Sequence, residues 1–114
     1  MWENQIANLG ITLITGFIIC LTALLMKKNP PRKINSFIGY RTKRSMKNQL
    51  LWDEANKYSS EMMLKYGIIF VVIGLLLSIL FDGIIITFTI FGILISCIIL
   101  MIIKVEKRLK NLDK

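Results

Sequence analysis

Residues 84–103 read IIITFTIFGILISCIILMII, twenty positions without a charge. A helix needs about 20 apolar residues to cross a hydrocarbon core of roughly 30 Å. On the insertion scale each aliphatic residue of the run contributes roughly −0.3 to −0.6 kcal/mol, whereas one central Lys or Arg would cost about 2.5 to 3.5. The run is therefore read as a membrane span, and its neighbours follow from it. Asp82-Gly83 just before it makes a tight turn, and the apolar run upstream of that turn reaches back from Phe81 through Leu64, Met63 and Met62. Lys65 snorkels to the interface, giving a second span over 62–81 that pairs with 84–103 as a hairpin.

A third apolar run covers residues 6–26. It is not expected to be a signal peptide, because Met-Trp-Glu-Asn precedes it and Lys27-Lys28 follows directly, the reverse of a signal's charge order. Asn8, Thr12, Thr15 and Thr22 recur along it at helical spacing. Lipid is a poor neighbour for such a stripe, so it should face the other helices. The later spans carry small residues for packing: Gly67, Gly74 and Ser78 in one, Thr89, Gly92 and Ser96 in the other. The expected fold is all-α, a three-helix transmembrane bundle forming one domain over residues 1–114, with a homo-oligomer as a further expectation.

Composition agrees. Hydrophobic residues make up 54% of the chain, too many for a soluble domain of 114 residues to cover with polar ones. The net charge of +8 sits at the ends of apolar runs, which argues for topology and against nucleic-acid binding. Lys27, Lys28, Arg32, Lys33, Arg41, Lys43, Arg44 and Lys47 follow the first span with no acid among them, and the tail over 104–114 is basic again. All the basic segments fall on one side only if the amino terminus is outside and the 27–61 loop and the tail are cytoplasmic. Anionic headgroups are then the expected neighbours of the loop.

Within the loop, Pro30 and Pro31 stop any helix. Beyond Ser45 a helical pattern resumes, with Leu51, Ala55, Tyr58, Met62 and Tyr66 on one face and Asp53, Lys57, Glu61 and Lys65 alternating in sign at i, i+4. This predicts an amphipathic helix, capped by Ser45 or Asn48, that lies on the membrane surface or packs under the bundle before turning into the second span. Gly39 beside Tyr40 reads as a tight turn and Trp52 as an interface anchor.

The chemistry on offer is sparse. There is no histidine, no charged residue inside a span apart from Lys65 at its interface end, and no Gly-rich phosphate loop. Cys20 and Cys97 both lie in apolar runs without a metal-binding partner and read as small hydrophobes. Asp53 and Glu54 are adjacent and point to different helix faces. No enzyme, cofactor or metal is expected from this inventory.

What remains distinctive is the ordered set Asn35, Gly39-Tyr40-Arg41-Thr42, Ser45, Trp52 and Asn56. It resembles the SdpI family of small bacterial membrane proteins, whose pattern is Asn, three residues, Gly-Tyr-Arg-Thr, two residues and Ser, followed by a spaced Trp and Asn. Lys43 departs from it, since many members have proline there. The resemblance implies a binding segment made of those eight residues and a bacterial cell-membrane location. It also implies immunity to, or sensing of, a membrane-active peptide toxin, with a toxin peptide and a cytoplasmic repressor as partners. The alternative is a membrane scaffold whose basic loop recruits a regulator or a partner membrane protein.

Overall fold

The computed structural model describes residues 2–113, without the side chain of Trp2; Met1 and Lys114, the ends of the predicted outer stretch and basic tail, lie outside the described residues. Three helices follow in order: α1 (Trp2–Lys28), α2 (Gln49–Leu80) and α3 (Ile84–Leu112). Each is long and apolar enough to cross a bilayer, and no strand occurs among the described residues. The molecule measures 53 × 24 × 20 Å. Its long axis exceeds the thickness of about 40–45 Å of a bilayer with headgroups.

The start of α2 corrects the expected loop. The amphipathic stretch does not form a separate helix that turns into a span; α2 runs unbroken from Gln49 to Leu80, about 48 Å at 1.5 Å per residue. Between Gln49 and Tyr66 no Pro or Gly interrupts the hydrogen-bond ladder, and breaking it at the membrane surface would strand backbone groups that lipid cannot satisfy. Asn48 is the cap: its side chain accepts from the Leu51 N–H at 2.9 Å. Nor does α3 end with its span. It continues to Leu112, so the expected basic tail is helical, and Val105 and Leu109 pack on Leu51 and Ala55 of α2 in a small core at the basic end.

The predicted i, i+4 charge ladder on α2 does not form. Asp53 instead accepts from Gln49 at 2.7 Å, and Glu54 pairs with Arg108 of α3 at 2.6 Å, whose guanidinium also lies 4.6 Å from the centre of the Tyr58 ring. Each rung of the ladder is worth only a few tenths of a kcal/mol on a solvated face, so Asp53 is as well served by the Gln49 amide one turn back.

At the other end, Asn8 and Thr12 are fully buried as the polar stripe required, and Thr87 of α3 hydrogen-bonds to Asn8. Thr22 departs from that stripe: it is exposed and returns its hydroxyl to the Ile18 carbonyl. The α1–α2 seam is close because side chains are missing from it. A Cβ on Gly74 would stand 2.5 Å from Thr12 Cγ2, and one on Gly16 would collide with Val71. The expected packing face on α3 is different. Gly92 has open space beside it, and the exposed Thr89 and Ser96 hydroxyls satisfy themselves on the Ile85 and Gly92 carbonyls. That stripe packs against nothing within the protomer.

Candidate functional site: the cap at the basic end

The loop between α1 and α2 folds over the basic end of the helices. Asn35 starts it with a local turn, its Oδ1 accepting from the N–H groups of Phe37 (2.9 Å) and Ile38 (2.7 Å) while its Nδ2 donates to the Lys33 carbonyl. This leaves Phe37 and Ile38 exposed at 85% and 65%, an apolar pair on the outside of the loop.

Gly39 follows with φ +113°, a backbone region that L side chains rarely adopt. There is also no room for one, since a Cβ would lie 2.5 Å from Asn56 Oδ1 and 2.9 Å from Pro31 Cγ. The close approach lets Asn56, buried inside α2, accept the Tyr40 N–H at 2.8 Å and donate its Nδ2 to the Trp52 carbonyl at 2.9 Å. Trp52 is not the interface anchor its type suggested. It is fully buried, and its indole N–H donates to the Pro31 carbonyl at 2.7 Å, so the ring lies beneath the loop and ties it to α2. A buried Trp needs a partner for its N–H, and the loop provides one where lipid headgroups would otherwise have to.

Thr42 and Ser45 close a reciprocal turn. The Thr42 N–H donates to Ser45 Oγ at 2.7 Å and the Ser45 N–H to Thr42 Oγ1 at 3.2 Å, while the Ser45 hydroxyl lies 3.0 Å from both the Tyr40 and Thr42 carbonyls.

The loop is joined to α3 through a residue that sequence reading passed over. Glu106 Oε2 accepts from the Tyr40 hydroxyl at 2.8 Å and the Thr42 hydroxyl at 3.0 Å, and its other oxygen lies 3.9 Å from Arg44. Asp113 takes Lys47 at 2.9 Å and Arg44 at 3.5 Å. The available signal was that Glu106 and Asp113 are the only acids in the basic stretch from Lys104 onward. Burial, the hydrogen bond to Glu106 and that carboxylate's charge push the Tyr40 phenol well above its ordinary value, so it is a permanent donor at neutral pH. The hydrogen bond from Lys47, helped by the charges of Lys47 and Arg44, holds the Asp113 carboxyl below the usual range.

The eight expected residues therefore come together, in two roles. Seven of them (Asn35, Gly39, Tyr40, Thr42, Ser45, Trp52 and Asn56) are buried or half-buried in the framework of the cap. Arg41 alone is exposed, its guanidinium donating to the Ser36 carbonyl.

Residues 32–104 match the SdpI/YfhL protein family, a stretch that takes in the loop from Arg32, all of α2 and α3 as far as Lys104. The chain belongs to the SdpI/YfhL family. The chain is similar to the uncharacterized protein YfhL of Bacillus subtilis (strain 168), 46% identical over 66 residues, 58% of this chain and 60% of that protein. The matched chain thus spans about 60% of its curated relative. No solved structure matches.

Proposed function

We propose that this protein gives immunity to, or senses, a membrane-active peptide toxin, acting from the cell membrane with its amino terminus outside and its basic cap in the cytoplasm. The observation that carries the reading is family membership across residues 32–104 together with the use of the family-pattern residues in a single hydrogen-bonded cap. Burying that many hydrogen-bonding groups in a loop fixes its shape and aims one cation outward. A rigid cap presenting Arg41 beside the exposed Phe37-Ile38 pair suits contact with an amphipathic peptide lying at the interface. The test is survival of toxin-sensitive cells expressing the protein. Protection that is lost in Arg41→Ala but retained in Lys43→Ala supports the reading, and unchanged killing by every peptide encoded beside the gene refutes it.

The scaffold reading is favoured by a different observation. Lys27, Lys28, Arg32, Lys33, Arg41 and Lys43 make no ion pair among the described residues, leaving a cationic loop for an acidic partner. It predicts that a cytoplasmic regulator copurifies with the native protein and is released by Arg41→Ala with membrane insertion intact. Trp52 offers such a partner no surface, because it is buried.

A further inference from the structure

α1 and α3 barely touch each other; both lean on α2, and the hydrogen bond between them, Thr87 to Asn8, lies at the end away from the cap. Toward the cap they leave a cleft whose floor is α2. Its deeper part is a cavity of about 280 Å³ walled by Ile19, Met63, Phe70, Leu94, Ile98 and Met101. Its shallower part, about 330 Å³, is bounded by Met26, Ser59, Ile102 and the loop from Gly39 to Thr42. Met63 and Met101 line both, so the two hollows meet at this pair of flexible side chains. From Ser59 to Phe70 along α2 this is roughly 16 Å at 1.5 Å per residue, and the two parts together fall within the volumes of about 300 to 1,000 Å³ usual for ligand sites.

The walls change character along this length. At span depth they are hydrocarbon and sulfur, and at the cap they end on Arg41 and the loop backbone. Three methionines line the passage, unbranched and adaptable side chains that accommodate a flexible chain better than a rigid one. Arg41 has no carboxylate partner among the described residues, whereas Arg44, Lys47 and Arg108 all do. Met26 also borders a second loop hollow that includes Arg32 and Lys33, which adds two more unpaired cations next to the same mouth.

We propose that the cleft holds one acyl chain of an anionic phospholipid, with its phosphate meeting Arg41 at the mouth. The cleft opens sideways between two helices that face hydrocarbon, so a lipid enters it from the bilayer. An apolar slot that ends on a guanidinium without a carboxylate partner among the described residues matches an anionic amphiphile in both halves. The assignment does not depend on the toxin reading, and its test contains no toxin.

The full chain, purified in detergent and stripped of lipid, would be mixed with equal amounts of phosphatidylglycerol and phosphatidylcholine bearing the same acyl chains, and bound lipid counted by native mass spectrometry. The expected result is a preference for phosphatidylglycerol of about fivefold or more, since each surface cation at the mouth is worth about that factor. Arg41→Gln should lower the preference, and the same change combined with Arg32→Gln and Lys33→Gln should abolish it. Ile98→Trp, which fills the cleft from an exposed position, should displace both lipids, and Ile98→Ala should retain them. Equal binding of the two lipids to the native protein, or full occupancy in Ile98→Trp, would overturn the proposal.

Discussion

Replacing Gly39 by alanine should undo the cap without touching the spans. Two costs combine: the φ of +113° puts a non-glycine residue in a region costing about 1–3 kcal/mol, and the new methyl must displace Asn56 Oδ1 and Pro31 Cγ, an overpacking term of about 1–3 kcal/mol. Relief by small shifts brings the net to about 2–4 kcal/mol. At 1.4 kcal/mol per decade the cap would then open roughly 30- to 700-fold more often. Trypsin reports this directly, because Lys43 and Arg44 lie in the turn closed by Thr42 and Ser45 and must be drawn out of it to be cut. Under conditions where reclosing outpaces cleavage, the cutting rate at these sites should rise by the same factor, with helix content unchanged. Asn56→Ala should cost about 1–3 kcal/mol by leaving the Tyr40 N–H without its acceptor. In the double variant the methyl meets no Asn56 oxygen and no longer breaks that bond, so the combined effect should fall about 1 kcal/mol or more short of additive. Cleavage of Gly39→Ala at the native rate, or strict additivity with Asn56→Ala, would refute the reasoning.

Two further outcomes are expected. Glu106→Ala, which leaves the Tyr40 and Thr42 hydroxyls without their acceptor, should loosen the cap by about 1.5–3 kcal/mol in the same trypsin assay, and Glu106→Gln, which keeps a carbonyl oxygen there, by less. Asp113, held below the usual carboxylate value of about 3.9, adds stability that is present above that value and fades as the pH falls through its own lower one. Carbon NMR of its carboxyl should show that low midpoint, and Lys47→Met should move it back toward the ordinary value.

Hydrophobic runs were enough to find three helices long and apolar enough to cross a bilayer and the hairpin turn at Asp82-Gly83, because that capacity is a property of a segment's own length and polarity. The buried stripe of Asn8 and Thr12 was legible for the same reason, since a polar side chain in an apolar run must face protein. The segment containing the candidate site also stood out, as the one polar and aromatic island between apolar runs.

What each residue does in that segment was settled by tertiary contact. Trp52 has the composition of an interface anchor, and only the loop carbonyl of Pro31 lying over it makes it a buried tie. The stripe of Thr89, Gly92 and Ser96 reads the same as the one on α2, yet faces outward because α3 meets α2 along Ile90 and Cys97 instead. Glu106 is one acid in a basic tail until α3 extends far enough to bring it beneath Tyr40 and Thr42. Sequence alone determined which segments leave water, since that depends on local transfer free energy. The pairing of groups some 65 positions apart depends on how two long helices are placed, and only the tertiary structure decided it.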